Sequence, residues 1–130
     1  MSFYGYDKAP ESIRKLYNKF LSVWCAESCA PRMRPHWSEA NPTLGQCSIT
    51  SFLVQDLLGG EVLGIRLPDG SYHCFNRIEG HDYDLTSEQF GDEFLDYSSA
   101  VPQTRDEHFS NEDKYLRYLL LKNRFEKCKK

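Results

Sequence analysis

The sequence has few of the features that would direct a protein out of the cell, into a membrane or onto nucleic acid. No run of apolar residues approaches the ~18 that a membrane-spanning helix needs. The first six residues are aromatic and polar, without the basic and apolar regions of a signal peptide. Basic residues do not exceed acidic ones, and the net charge of −3 argues against a general nucleic-acid binder. We therefore expect a cytoplasmic protein that binds neither nucleic acid nor membranes.

The chain also lacks the repeated close cysteine pairs of a structural metal site. Its five cysteines are an odd number, which favours reduced thiols in the absence of an export signal: Cys25, Cys29, Cys47, Cys74 and Cys128. Cys25 and Cys29 are four residues apart and His36 follows them. Metal sites with four protein ligands usually include a second close pair, which does not occur here. We interpret Cys25 and Cys29 as packing residues and predict neither a metal nor an organic cofactor.

A length of 130 residues and a hydrophobic content of 40% suit a single domain, residues 1–130, around one core. Near both ends of the chain, apolar residues recur with the helical period. This pattern predicts an N-terminal helix over residues 10–26 and a C-terminal helix over about residues 111–127. Ser110 and Asp113 resemble a capping pair for the second helix. Residues 102–110 are polar, and we interpret them as a connector.

The middle of the chain has the alternation and the turn signals of short strands. We predict strands over residues 61–67 and 71–78 and a third short strand that starts at Tyr83. Thr86, with Gln89 three residues later, predicts a capped helical turn after the third strand. The fold class that follows is α+β, with a central cysteine-bearing helix packed on a short antiparallel sheet. The N- and C-terminal helices flank this unit.

Cys47 stands directly before a compact apolar run that forms the predicted central helix. Apolar residues lie there at helical spacing, and Gly59 follows the run: Ile49, Phe52, Leu53 and Leu57. Cys47 is therefore expected in the first turn of a largely buried helix. The positive end of a helix lowers a cysteine pKa and would activate Cys47. A buried and inert thiol is the alternative, because free cysteine is among the most buried residue types.

The irregular segment over residues 31–46 contains three prolines and leads directly to Cys47. Loops of this length in a small domain tend to be functional or to frame a site. Trp37 would form one wall of that site or would anchor the loop to the core. The side-chain amides of Gln46 and Asn41, with the backbone N–H of Cys47, are candidate donors to an oxyanion. The alternatives are that Gln46 points away and that Asn41 only shapes a turn.

Cys47, His73 and Asp84 supply the groups that nucleophilic catalysis by cysteine needs. A thiolate attacks, an imidazole transfers the proton, and a carboxylate orients the imidazole. If Glu79-Gly80 forms a two-residue hairpin loop, Phe75 opposes Asp84. His73 is then a diagonal neighbour of Asp84, at ~7–8 Å between backbones. A four-residue loop also keeps the two residues on one face, whereas a loop of three or five residues separates them.

Structural alternatives exist for the members of this constellation. His73 would be a half-buried strand residue with a satisfied hydrogen bond. Asp84 would pair with Arg77, or cap the turn that follows it. Cys74 lies on the opposite face from His73 and is expected in the core. His108 has no partner at a convincing spacing.

Several segments of the chain resemble the YunG-like family of small bacterial proteins. The resemblance rests on Trp37-Ser38, Asn41 to Cys47, Val54 to Glu61, His73 to Asn76, Asp84 to Thr86 and Arg117 to Lys122. This resemblance implies no particular activity. The order of a cysteine at a helix start, a histidine on a strand and an aspartate on the next strand is similar to the papain-like and transglutaminase-like superfamily. That similarity implies an α+β fold in which the cysteine-bearing helix packs on an antiparallel sheet.

We therefore expect a cysteine-dependent hydrolase or acyl transferase that acts on an amide, isopeptide or thioester bond of an unidentified peptide or small-molecule substrate. Cys47 would be the nucleophile, His73 the general base and acid, and Asp84 the orienting group. The alternative is a non-catalytic binding or interaction module in which these three residues form a structural polar cluster. A third interpretation, a redox-sensing thiol, requires a resolving cysteine within reach of Cys47. Strand parity argues against Cys74 in that role.

Overall fold

The computed structural model describes residues 3–129, which form an α+β fold as predicted. Met1, Ser2 and Lys130 lie outside the described residues, so part of the N-terminal segment used to predict the absence of a signal peptide is not described. The helices are α1 (Glu11–Val23), α2 (Cys47–Leu58), α3 (Arg105–Phe109) and α4 (Glu112–Lys127). The strands are β1 (Glu61–Arg66), β2 (Tyr72–Ile78), β3 (His81–Tyr83) and β4 (Val101–Pro102). Short 3₁₀ turns lie between them.

The main core lies where α1, α2 and α4 meet one face of the sheet. The apolar spacing of α1 buries one stripe of the helix: Ile13, Tyr17, Phe20 and Val23. From α4, Leu121 and Phe125 enter the same core, and the rings of Phe20 and Phe125 lie 5.0 Å apart. Ile49 of the central helix is fully buried. The N- and C-terminal helices therefore flank α2, as predicted.

The sheet is antiparallel, with the strand order β3-β2-β1-β4. A two-residue loop joins β2 to β3, because Ile78 opposes His81. Glu79 and Gly80 have φ values of 51° and 80°, which is the left-handed pair that a tight hairpin turn requires. The register pairs Asn76 with Tyr83. The residue after Tyr83 is Asp84, which therefore continues on the face that carries His73.

The second face of the sheet buries a smaller apolar cluster. Leu63, Ile65 and Phe75 point to this side. The segment before β4 covers them with partly buried side chains, of which Tyr97 meets the Phe75 ring edge-on at 5.0 Å. This covering segment brings the Tyr97 hydroxyl close to the end of β3.

Several predicted boundaries are wrong. The first helix ends at Val23 rather than near residue 26, and a 3₁₀ turn over Ala26–Ser28 follows it. The predicted connector contains β4 and α3, which are two and five residues long and carry no periodic pattern. Asn111, not Ser110, caps α4, and its Oδ1 accepts from the backbone N–H of Lys114 at 3.1 Å.

In residues 3–129, no helix has the length and apolar character needed to cross a bilayer.

We expect Leu121→Ala to lower the free energy of unfolding by about 2–5 kcal/mol, because it leaves a cavity in the core. Leu121 is 0% exposed, whereas Leu116 on the same helix is 55% exposed. The matched Leu116→Ala substitution should change stability by about 0.5 kcal/mol or less. Urea unfolding followed by circular dichroism measures both values. Equal losses in the two variants would contradict this packing of α4.

Candidate active site

Cys47 is the first residue of α2 and lines a cavity of about 790 Å³. Gly45, with a φ of 70°, turns the chain into the helix, and a Cβ there would lie 2.6 Å from the sulfur of Cys29. Cys29 is thus a packing residue beneath this turn. The backbone N–H groups of Cys47 and Ser48 make no hydrogen bond within the described part of the chain. They are free donors at the positive end of α2.

A buried ion pair joins β2 to the residue that follows β3. His73 Nε2 lies 2.6 Å from Asp84 Oδ2, and the two side chains are 1% and 0% exposed. The hydroxyl of Tyr97 donates to the same carboxylate oxygen at 2.7 Å. The backbone N–H of Thr86 donates to the other oxygen at 3.3 Å. A bridge to Tyr4, whose C=O accepts from the Asp84 N–H at 3.0 Å, fixes the backbone.

The structural alternatives for Asp84 are resolved by its neighbours. Arg77 pairs with Asp82, at 2.6 Å between Nε and Oδ1, rather than with Asp84. Asp84 does cap the turn at Thr86, in addition to binding His73. The hydroxyl of Thr86 is directed to Asp84 at 3.4 Å and does not cap the next turn, so the predicted capping box with Gln89 is wrong.

The electrostatics of the site favour an imidazolium beside a thiolate. Burial alone lowers the pKa of His73, but the charge and hydrogen bond of Asp84, together with Cys47, raise this pKa to about 10. The pKa of Cys47 lies well below its ordinary value. A hydrogen bond from Cys74 lowers it most, burial opposes this, and the hydrogen bond and charge of His73 lower it further. Because Nε2 of His73 is bonded to Asp84, its buried and otherwise unpartnered Nδ1 is the nitrogen left for Cys47.

Cys74 lies beside Cys47, which corrects the prediction that it faces away from that residue. Its thiol and its backbone N–H both interact with the Cys47 sulfur. The hydrogen bond with Cys47 and the burial of Cys74 raise the pKa of Cys74 well above its ordinary value. Cys47 therefore ionises first, and Cys74 stays protonated as a donor. Strand parity places Cys74 and His73 on opposite faces of β2. It does not determine the position of Cys47, which interacts with both residues.

A second histidine, His108 of α3, also lines the cavity but is neutral. Burial, followed by the charge of Lys114, lowers its pKa to about 4. His108 Nδ1 accepts from Lys114 Nζ at 2.9 Å, and Nε2 donates to Gln103 Oε1 at 2.7 Å. The sulfur of Cys74 is 3.9 Å from the same Nε2. Sequence reasoning misses His108 because its partners Cys74, Gln103 and Lys114 lie in β2, in the link before α3 and in α4, and the helix that carries it has no periodic pattern.

Gln46 does not contribute to the cavity wall. It is fully buried, and its Oε1 accepts from the Ser28 hydroxyl at 2.8 Å while its Nε2 donates to the Cys25 carbonyl at 3.0 Å. The predicted oxyanion role does not fit this geometry. Gln46 instead ties the start of α2 to the turn that follows α1, which is why Cys47 is held in place.

The loop over residues 31–46 does line the cavity, but through residues other than the predicted ones. Arg32, Met33 and Leu44 face the cavity. Trp37 anchors the loop, because its Nε1 donates to the backbone carbonyl of Pro42 at 3.0 Å. Asn41 forms an isolated bridge with Ser38. Neither Trp37 nor Asn41 is among the residues that line the cavity.

The fold and the site together define an α+β protein with a cysteine, a histidine and an aspartate gathered at one cavity. A sequence model of the family described as "YunG protein" matches residues 12–130. The chain is 41% identical over 81 residues to a Bacillus subtilis (strain 168) protein named "Uncharacterized protein YunG". The match covers 61% of this chain and 68% of that relative. No solved structure matches significantly. The chain belongs to the YunG family.

We expect the pKa values of the two cavity histidines to be shifted in opposite directions from the ordinary value of 6.5. His73 should stay protonated until about pH 10 and His108 neutral down to about pH 4. The contribution of His73 to stability is fully present below its unfolded pKa of 6.5 and is lost as the pH rises through about 10. That of His108 is present above 6.5 and is lost as the pH falls through about 4.

Nuclear magnetic resonance of the imidazole carbons against pH measures both midpoints. His73→Gln and His108→Gln variants assign the two signals. A midpoint near 6.5 for either ring would contradict the environment described for that ring.

Proposed function

We propose that this protein is a cysteine-dependent hydrolase or acyl transferase with a papain-like or transglutaminase-like arrangement of residues. Its substrate would be a peptide or small molecule with an amide, isopeptide or thioester bond. One observation carries the proposal. Cys47 lines an open cavity and interacts with His73, whose other ring nitrogen is bonded to Asp84 at 2.6 Å. These are the three relationships that thiol catalysis requires.

In the proposed reaction, the Cys47 thiolate attacks the carbonyl carbon of the substrate. The proton held by His73 is transferred to the leaving amine or thiol, which leaves an acyl group on the sulfur. The neutral imidazole then removes a proton from water or from an acceptor amine, and attack by this nucleophile releases the acyl group. Asp84 keeps Nδ1 of His73 directed at the reacting atoms and stabilises the imidazolium.

The free N–H groups at the start of α2 suit a developing oxyanion. The Cys47 N–H is the donor expected from the sequence, and the Ser48 N–H is beside it. Both belong to the end of a helix dipole that favours negative charge. Neither donor has to be released from another partner before the substrate binds.

The state of the cysteines supports a cytoplasmic location, which we also propose. All five cysteines are free thiols. The reducing cytosol keeps thiols, including a nucleophilic thiolate, in their reduced form.

A non-catalytic interaction module is the second candidate. The near-complete burial of His73 and Asp84 favours it, because a buried, hydrogen-bonded pair also has a purely structural use in fixing the sheet and its neighbours. The half-buried Cys47 at the cavity favours catalysis instead. A redox-sensing thiol is the third candidate, favoured by Cys74 beside Cys47. A disulfide between these two cysteines after treatment with hydrogen peroxide would support the sensor.

We expect iodoacetamide to alkylate Cys47 well below the ordinary cysteine pKa of 9.0, because the imidazolium and the helix stabilise its thiolate. His73→Gln should raise the pKa of Cys47 and lower the rate at pH 6, by about tenfold for each unit by which the new pKa exceeds that pH. Rates follow from mass spectrometry of the modified peptides.

Cys128→Ser serves as the matched control, because Cys128 is also half-buried but does not line the cavity. This substitution should leave the rate at Cys47 unchanged. If Cys47 reacts only in the unfolded protein, its thiol is closed to reagents. That result would contradict the catalytic proposal and support the interaction module.

We expect p-nitrophenyl acetate to release nitrophenol in a burst and to leave an acetyl group on Cys47, as acyl transfer requires. Cys47→Ala should abolish both signals, and Cys74→Ala should retain the acetyl adduct. Stopped-flow absorbance and intact mass spectrometry detect the two products. A reactive Cys47 that never carries an acetyl group would point to the redox sensor rather than to an acyl-transfer enzyme.

A further inference from the structure

Lys114 is a cavity cation without a carboxylate partner. Three basic side chains of lysine or arginine line the cavity, and two of them form salt bridges. Arg32 pairs with Asp69 at 2.8 Å, and Arg117 pairs with Asp113 at 2.8 Å. Lys114 is in no salt bridge within residues 3–129. Among these three basic residues of the cavity wall, Lys114 is therefore the one that is not paired with a carboxylate of the described chain, and Glu107 is an acidic residue of the same wall.

The one hydrogen bond of the Lys114 ammonium leaves most of its donors unused. Lys114 Nζ donates to Nδ1 of His108 at 2.9 Å. His108 is neutral because its Nδ1 must accept this bond while its Nε2 donates to Gln103. An ammonium group has three donors, so two of them stay available to a ligand. Since Lys114 is half-buried, a ligand that binds there is partly shielded from water and interacts with the charge more strongly.

The position of Lys114 in α4 is unfavourable for the helix itself. It lies in the first turn, three residues after the cap Asn111, where the helix dipole is positive. Anionic side chains are the stabilising choice in that turn, and Glu112 and Asp113 precede Lys114 there. The lysine therefore does not stabilise α4 through the dipole. Its charge and the positive end of α4 add up on the same side of the cavity.

This positive side lies next to the proposed nucleophile. One imidazole ring, that of His108, separates Lys114 from the sulfur of Cys74, which is 3.9 Å from Nε2 of the ring. Cys74 in turn interacts with Cys47. The loop and the turn after β3 contribute apolar side chains to other walls of the cavity: Met33, Leu44 and Phe90. The cavity thus combines a reactive sulfur, one free cation near it and apolar surface.

We propose that Lys114 binds a carboxylate of the substrate, so that the site takes acyl compounds with a free carboxylate close to the reacting carbonyl. The proposal rests on the function proposed above for Cys47. The carboxylate belongs either to an acidic side chain or to a free chain terminus, and the chemistry of recognition is the same. Lys114 is a specificity-determining residue in this account, because it contacts the substrate and takes no part in proton transfer.

Iodoacetate and iodoacetamide test this proposal without knowledge of the substrate. Both reagents form a carbon–sulfur bond with the Cys47 thiolate and release iodide, but only iodoacetate carries a carboxylate. We expect Lys114→Gln to lower the ratio of the iodoacetate rate to the iodoacetamide rate by about tenfold at low ionic strength. Glutamine keeps a donor for His108, which preserves the local structure. Lys114→Arg should retain most of the ratio, because it keeps the charge.

Lys127→Gln is the matched control, since Lys127 is exposed at the far end of α4 and loses the same charge. Its ratio should equal that of the wild type. If Lys114 only stabilised the Cys47 thiolate, both rates would fall together and the ratio would stay constant, which would overturn the proposal. If neither reagent modifies Cys47 in the folded protein, the proposed function itself fails. The two failures are therefore distinguishable.

Protection experiments distinguish the two sources of the carboxylate. N-acetylalanine carries a terminal carboxylate, and the α-amide of N-acetylglutamic acid carries only a side-chain carboxylate. The acid that slows iodoacetamide more in the wild type than in Lys114→Gln identifies the preferred source. Equal protection of both proteins by both acids would contradict a carboxylate site at Lys114.

Discussion

The contact between His73 and Asp84 is the interaction on which the rest of the site depends. A buried charge pair is expensive to form, and removal of one partner typically costs about 3–5 kcal/mol because the other charge is left unpaired. Hydrogen bonds from Tyr97 and Thr86 to the carboxylate offset this cost. Tyr97 is itself held by the ring of Tyr4, stacked at 3.8 Å. Three residues, His73, Tyr97 and Thr86, thus converge on one carboxylate. Tyr4 supports this network through Tyr97 and the Asp84 backbone.

The predictable part of this protein is the part with local periodicity. The apolar spacing in α1 determines which face of that helix is buried, and the two-residue turn at Glu79 and Gly80 sets the parity of Asp84. Features that depend on contacts between distant segments of the chain cannot be predicted from local periodicity. Gln46 illustrates this, since its partner Ser28 is 18 residues away and nothing in the sequence links them. The same reason explains why sequence reasoning does not predict the cap of α4, the short α3 or the position of His108.

The two cavity histidines show how position overrides residue type. Both rings line the same cavity, yet one is expected as a cation and the other as a neutral base. The difference lies in the first charged group that each ring meets, a carboxylate for His73 and an ammonium for His108. Asp84 and the thiolate share the single positive charge of the imidazolium, and the positive end of α2 also stabilises the thiolate. Burial lowers the pKa of Lys114, and the charges of Cys74 and Cys47 oppose this shift.

The contact between α1 and α4 has a consequence for the way the molecule is assembled during synthesis. Arg124 donates to the carbonyl of Val23 at 2.8 Å, across 101 positions of the chain. Closing so long a loop delays folding, because its entropy is lost before the contact stabilises the chain. A ribosome releases Cys47 long before it releases α4, which supplies one wall of the cavity. The cavity around Cys47 is thus complete only when the last helix has docked.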